Sequence, residues 1–351
     1  MGFRGELMAK PVFTVVLDKL VLLLDGTIPL IDNLQQSGNT ISDCKLSDVV
    51  ILRKNNKQKH PSFYNCYDVL LNSKLFGQLF YNYNGKYRFS VDTPILLQVE
   101  NYMLYADGLT AKLTLLLQNL PEVSFYNYQY IDIAIDGHDL VSKHETFVTS
   151  KQYQRKANIK NISIIFDDRN KEQIGYTVGS KQSDKHVGIY RKQAEIIFSG
   201  KNYISAFWCK NGLLPLDGKS IDRVEGRLTA NELTYFSSDF KDLENPAYIA
   251  GFFKLKFENF LVFHKRNNHK DRRHLINWNQ LKSVTIKKEK TTAKATDSLY
   301  SKRITIHTLF DEYLVSGDIQ ILHSFLKFTR GSNLIPWVSK KINGWKRDLR
   351  Y

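Results

Sequence analysis

Cysteine is scarce. The 351 residues contain only Cys44, Cys66 and Cys209, far apart and without a C-x-x-C pair. That excludes a disulfide-stapled scaffold, a thiolate zinc site and a dithiol redox motif, and it suits a reducing cytoplasm. Proline is scarce as well, with 8 residues, and no Gly- or Ser-rich tract interrupts the chain. With 42% hydrophobic and 24% charged residues, the disordered, collagen-like and low-complexity classes are excluded. A long uncharged apolar run is also missing. The most apolar early stretch, Pro11 to Leu30, is broken by Asp18, Lys19 and Asp25, so neither a membrane span nor a signal peptide is expected. Acidic residues are in deficit: 50 Lys and Arg against 35 Asp and Glu leave a net charge of +15. A basic protein with no membrane segment most often meets a nucleic acid.

The excess charge sits at one end. From Lys254 to Tyr351 there are 21 basic and 8 acidic residues, whereas the preceding part has 29 and 27. This divides the chain into a nearly neutral body, residues 1–250, and a basic C-terminal region, residues 251–351. The turn-forming Ser237-Ser238-Asp239 and Asn245-Pro246 lie near the junction. The basic region interleaves Phe252, Phe253, Phe257, Phe260, Phe263, Trp278, Trp337 and Trp345 with cations. Cations neutralise phosphates and aromatics stack on unpaired bases, although such aromatics equally form a core. Its cation pairs Lys265-Arg266, Arg272-Arg273 and Lys287-Lys288 are candidate contacts to a DNA backbone.

The body reads as β structure. Leu75 to Val99 holds two or three strands, with Asn84-Gly85 as a hairpin turn. Gly108 to Asn119 has room for a helix of about three turns, which Pro121 would end. Tyr130 to Asp136 alternates apolar residues with Asp132, Ala134 and Asp136, which puts both aspartates on one face of a strand. Tyr176 to Tyr190 reads as strand, polar turn and strand, and Arg223 to Leu228 as another strand with Arg223, Glu225 and Arg227 on one face. Phe310 to Arg330 is read as helical in two pieces about Gly317, and Asn267–His274 and Lys287–Lys294 as exposed basic loops. The expected fold is α+β, a central, mainly antiparallel sheet flanked by helices.

Four segments in order carry the residue types of phosphodiester chemistry. They are Glu100, then Asp132 and Asp136, then Tyr190 with Lys192 and Glu195, then Arg223 and Glu225. Clustered carboxylates hold a hard divalent cation, Mg²⁺ or Mn²⁺, which withdraws charge from a phosphate. A phenol becomes a nucleophile when a lysine or a cation stabilises its phenolate. Tyr190 and Lys192, two apart, would share one face of a strand. Each residue also has a plainer reading: a sheet tyrosine, solvated aspartates on an amphipathic strand, an ion-pair ladder of Arg223, Glu225 and Arg227.

The succession Asp132-Ile-Ala-Ile-Asp136, Val178-Gly-Ser-Lys-Gln-Ser183, Ile189-Tyr190-Arg-Lys192-Gln-Ala-Glu195 and Arg223-Val-Glu225 resembles the Rep_trans family of rolling-circle replication initiators. The likeness spans about residues 90 to 230. It implies a tyrosine-nickase fold, with Tyr190 as the residue that nicks the origin strand and keeps its 5′ phosphate. It implies Lys192 and Glu195 as partners in the same motif, and Asp132, Glu225, Asp136 and Glu100 around the metal ion. Lys181, Arg191, Arg223 and Arg227 become candidate DNA contacts. Tyr130 and Gly226 depart from the family pattern, the first standing where arginine is usual, the second where an apolar or acidic residue is usual.

The implied partner is an origin hairpin or single-stranded region, with a host helicase and a second copy of the chain as further partners. A relaxase of a mobile element and a noncatalytic DNA-binding regulator share these features and remain alternatives. His138 and His144 offer a competing acid–base or metal pair, but their spacing of six matches neither one strand nor one helix face. Should the nucleophile lie elsewhere, Tyr235 is the next candidate.

Overall fold

The apolar stretch that opens the body forms one long strand, β1 (Thr14–Gly26), rather than a helix. Its β-branched and leucine residues suit a strand covered on both faces. Its two adjacent charges fall at an irregularity: Leu17 pairs with Ile133 and Lys19 with Asp132, so Asp18 is an extra residue in the ladder. A bulge of this kind re-aims a side chain.

The computed structural model describes residues 13–36, 43–86, 89–138, 153–155, 162–166, 172–180, 183–216, 218–266, 268–274, 276, 278, 281 and 283–286. All belong to the first of two compact units, Met1–Ile286; the second, Lys287–Tyr351, lies outside the described residues. The predicted helices of 310–330, the loop at 287–294, Trp337 and Trp345 therefore lie outside them too.

After β1 come α1 (Pro29–Gln36), β2 (Asp43–Lys45), β3 (Val50–Lys54), β4 (Phe63–Leu71), β5 (Lys74–Tyr83), β6 (Pro94–Val99), α2 (Asn101–Leu104) and α3 (Leu109–Gln118). Next are β7 (Val123–His138), β8 (Tyr153–Arg155), β9 (Ile162–Phe166), β10 (Gln173–Val178) and β11 (Lys185–Tyr190). Then follow α4 (Lys192–Ser199), α5 (Asn202–Lys210), β12 (Ile221–Thr229), α6 (Pro246–Phe257), β13 (Val262–Lys265) and β14 (Asn268–His274). Eleven strands form one sheet in the order β2-β3-β4-β5-β6-β1-β7-β12-β11-β10-β9, and β14-β13-β8 form a small second sheet. Adjacent strands are antiparallel throughout. The architecture is the expected α+β one, an antiparallel sheet flanked by helices. No helix among the described residues is long and apolar enough to cross a membrane.

The two faces of the central strands differ. Ile131, Ile133 and Ile135 of β7, Val224 and Leu228 of β12, and Val187 and Ile189 of β11 are buried, and α6 packs against this apolar side through Phe253 and Phe257. Gly226 lies between Val224 and Leu228, and a Cβ there would come within 2.5 Å of the Phe257 ring and 2.6 Å of Phe253. The departure from the family pattern at this position thus has a packing reason: two phenylalanines occupy the missing side chain's space. The alternate residues, Asp132 and Asp136 facing Arg227 and Arg223 in register, make the opposite side polar.

Two local expectations are corrected. The Asn84-Gly85 pair does not close a two-residue hairpin; β5 and β6 pair from Phe80↔Leu96 to Gly77↔Val99, so a longer loop joins them. The tight turn is Asn72-Ser73, where Leu71 pairs with Lys74 and both turn residues have positive φ, 49° and 63°. Asparagine tolerates that region, and two such residues match the twist of the flanking strands. Asn268–His274, expected as a loop, is strand β14, because Phe263 of β13 pairs with Arg273 and anchors the hairpin in the core. The first compact unit runs through Ile286. Phe252, Phe253, Phe257, Phe263 and Trp278 are buried and carry α6 and the hairpin with the sheet.

Gly226→Val is expected to lower stability by about 1–3 kcal/mol through overpacking against Phe253 and Phe257. Urea unfolding checks this, the midpoint falling with an unchanged slope.

Candidate functional site

The polar side of β7, β12 and β11 collects most of the predicted residues. Tyr190 is the last residue of β11 and faces Arg223 in register, while Gly188 faces Glu225. The Tyr190 ring lies over Gly188, whose position would place a Cβ 3.5 Å from the ring. On its other side Gly175 of β10 pairs with Tyr190 so closely that a Cβ there would sit 2.6 Å from that of Tyr190. With glycines beneath and beside it, the phenol crosses diagonally toward β12, and its O–H donates to Glu225 Oε2 at 2.6 Å.

Lys192 reaches the same oxygen by a route different from the expected one. The strand ends at Tyr190, and Lys192 is the first residue of α4, with Arg191 at the helix cap. The side chain turns back, and its Nζ lies 3.3 Å from the Tyr190 hydroxyl and 2.8 Å from Glu195 Oε2 in the first helical turn. An acidic residue there also suits the helix dipole. Lys201 adds a second cation 3.6 Å from Glu195. Lys192 is 1% exposed, so its charge is held by neighbours rather than by water.

Behind this group lies a buried ion network. The Arg223 guanidinium, fully buried, reaches Asp136 Oδ1 at 2.6 Å and Oδ2 at 2.8 Å, and Asp18 at 2.8 Å. Trp208 Nε1 donates to Asp136 at 2.7 Å. Tyr105 and Asn101 donate to Asp18, and Tyr203 donates to Asn101 Oδ1 at 2.5 Å. None of Asp18, Trp208, Tyr105, Asn101 and Tyr203 was anticipated as part of the site. The only signal was the charge at Asp18 inside an apolar run.

Burial and charge set the protonation states. Burial pushes the Tyr190 phenol well above its ordinary range, and Glu225 adds to this while Arg223 opposes it. Burial likewise raises Glu225, helped by Asp18 and opposed by Arg223 and by the Tyr190 hydrogen bond. The Lys192 ammonium is lowered by burial and then by Arg223, against Asp18 and Glu195. Burial would raise Asp18, but Arg223 and Lys192 hold it well below the usual carboxylate range. Asp132 is pushed up to about 7 by burial and by Glu225, against Arg227. In this arrangement a neutral phenol donates to a carboxylate beside an ammonium. Transfer of the phenol proton to Glu225 would leave a phenolate 3.3 Å from Lys192.

Tyr190, Lys192, Glu195 and Glu225 are thus brought together. Asp132 shares their face but pairs with Arg227 at 3.3 and 3.5 Å. Asp136 is completely buried against Arg223 and Trp208, which makes it an anchor for the arginine rather than an open ligand. Arg223 itself is 0% exposed, which corrects its expected role as a DNA contact: three ion-pair oxygens already surround it. Glu100 follows β6 at the start of α2, raised by burial and Asp68, with no hydrogen bond or ion pair to the other acids among the described residues. No three acidic, histidine or cysteine side chains converge as a metal cluster among the described residues. Two of the acids are raised, Asp132 by burial and then by Glu225, and Glu225 by burial and then by Asp18.

Among the remaining candidates, Arg191 is exposed beside Tyr190, and Arg227 is half-buried with its guanidinium over the Tyr130 ring. Lys265, Arg266, Arg272 and Arg273 are exposed on the β13–β14 hairpin. Lys181 and His144 lie outside the described residues. His138 ends β7 with a buried Nδ1 and is not drawn into the group. Tyr235 is exposed, with Lys256 over its ring.

No family model and no curated protein matches the chain. Among solved structures, the rolling circle replication initiator protein from Geobacillus stearothermophilus is similar over 78% of this chain and 93% of its own. The identity is 12% and the TM-score 0.41.

Because the folded state holds the Asp132 proton up to about 7, against an ordinary 3.8, the stability from this group is present below pH 4 and lost as pH rises to 7. The Asp132→Asn variant lacks that loss. Urea unfolding should show wild type losing on the order of 2 kcal/mol relative to the variant between pH 5 and pH 8.

Proposed function

We propose that this protein is a tyrosine nickase that cuts one strand of DNA at an origin and so initiates rolling-circle replication. The observation that carries the reading is the Tyr190 hydroxyl held 2.6 Å from Glu225 and 3.3 Å from Lys192. The ordered motifs around Tyr190 and the surplus of cations support it. The phenol oxygen attacks phosphorus while Glu225 takes its proton, and Lys192 stabilises the developing phenolate. The bond from phosphorus to the 3′ oxygen breaks, that oxygen takes a proton from water, and the 5′ phosphate stays on Tyr190. Rejoining runs the same step backwards. A single-stranded loop is the favoured substrate, since its phosphate reaches the site without duplex opening.

A divalent cation, Mg²⁺ or Mn²⁺, fits Asp132 and Glu225 rather than the full set of five acids. Mg²⁺ commonly takes one or two carboxylates and keeps several waters. When bound, it supplies charge withdrawal from the phosphate. The Arg223 network keeps the strands bearing Glu225 and Asp136 in register, and Lys192 is held toward the phenol by Glu195. Arg191, Arg227 and the hairpin cations Lys265, Arg266, Arg272 and Arg273 are the proposed backbone contacts.

The test is a supercoiled plasmid bearing the DNA that flanks the gene, incubated with protein and Mn²⁺, followed by denaturing electrophoresis for a protein–DNA adduct. Wild type should form the adduct and Tyr190→Phe should not; an adduct that survives this substitution removes Tyr190 from the role. Glu225→Gln is expected to slow adduct formation roughly 10²- to 10⁴-fold, as for loss of a general base. Chelation with EDTA should stop the reaction and added Mn²⁺ restore it, with Asp132→Asn requiring a higher Mn²⁺ concentration. Full activity in EDTA would remove the cation from the mechanism.

A further inference from the structure

The polar side of the sheet continues past the tyrosine into a cavity that the reaction does not use. Arg227 follows Glu225 by two residues on β12, a step of about 7 Å on the same face. Its guanidinium lies 5.2 Å from the centre of the Tyr130 ring, and Lys19 Nζ lies 4.9 Å from the same centre. Beyond this ring opens a cavity of about 450 Å³, lined among others by Lys19, His60, Phe89, Gln98, Gln129 and Tyr130. That volume is in the range of small-molecule sites, about 300–1,000 Å³.

The lining combines flat apolar surfaces with groups that read an edge. Phe89 and Tyr130 are half-buried aromatics beside the small cluster of Val21, Phe63 and Phe80. The carboxamides of Gln98 and Gln129 make no hydrogen bond among the described residues. Gln129 faces the cavity because of a second ladder irregularity: Val21 pairs with Tyr130 and Leu22 with Tyr128, so Gln129 is the extra residue. Lys19 makes no ion pair among the described residues; its charge acts on Asp132, its register partner, and its ammonium stands over the Tyr130 ring at the rim. The Phe89 ring, the Tyr130 ring with its stacked cations, the carboxamide donors and acceptors, and a lysine without an ion pair among the described residues together match a nucleobase carried on a phosphodiester.

We infer that this cavity is a base pocket, which takes one unstacked base of the same single strand whose phosphate is presented to Tyr190. The inference rests on the nicking reading and names where its substrate is gripped. A strand, rather than a free nucleotide, is the occupant because the cavity lies on the same face of the sheet as the tyrosine, and its lining among the described residues offers Lys19 rather than a phosphate cradle.

The test uses full-length protein carrying Tyr190→Phe, so that nothing is cut, and two probes, an oligothymidylate and an abasic strand of equal length. Phe89→Ala and Tyr130→Ala should each weaken oligothymidylate binding roughly 5- to 100-fold, while binding of the abasic strand stays unchanged. Tyr130→Phe should bind as the parent does, and Gln129→Leu should weaken only the strand that carries bases. Equal losses on both strands, no loss on either, or thymidine monophosphate binding as tightly as the strand would each overturn the pocket. An adduct from wild type with no dependence on Phe89 or Tyr130 would sink the pocket and leave the nicking reading intact. Base-dependent binding with no adduct under any condition would do the reverse.

Discussion

Everything at the polar face depends on one guanidinium that has no access to water. Arg223 is held by Asp136 from the neighbouring strand and by Asp18 from the strand beyond it, so a single side chain ties β1, β7 and β12 together across the centre of the sheet. Removing a charge of this size from water is expensive, and only close opposite charges with good hydrogen-bond geometry offset the cost. The same charge acts on its neighbours: it lowers Asp18 and Lys192, and it opposes the rise of Tyr190 and Glu225. Structural anchoring and the electrostatics of the phenol therefore have one source.

Around that anchor, geometry is set by small residues and bulges more than by large ones. Gly175 and Gly188 let the Tyr190 ring lie across the sheet, and Gly226 admits two phenylalanines from the far side. The extra residue Asp18 in β1 supplies the second carboxylate for Arg223, and the extra residue Gln129 in β7 faces the neighbouring cavity. Both irregularities lie in the same strand pair, and each re-aims a side chain onto the working face.

Much of this was legible in the amino-acid order. Alternation along Tyr130 to Asp136 gave the strand and the shared face of the two aspartates, and Gly108 with Pro121 bracketed the helix that became α3. The grouping of Tyr190, Lys192, Glu195 and Glu225 is what the family resemblance implies, not something order along the chain shows. Other features were hidden for physical reasons. Periodicity cannot count bulges, so Asp18 was read only as a break in an apolar run. A cation on a strand looks the same in the sequence whether water or carboxylates surround it, so the pattern at Arg223 does not distinguish a surface contact from a buried anchor. The turn at Asn72-Ser73 carries no glycine, and the asparagine–glycine pair that did stand out belongs to a longer loop.

The seat of Tyr190 has a mechanical side. Its strand is hydrogen-bonded to β12 on one flank and β10 on the other, third from the edge of the sheet. A polymer tethered to that ring and pulled along the strand would load both ladders in shear, many amide bonds sharing the force at once, whereas a tether on a loop or an edge strand would peel its bonds one by one. A side chain on such an inner strand is therefore braced against a pull along the strand that an edge strand or a loop would not resist.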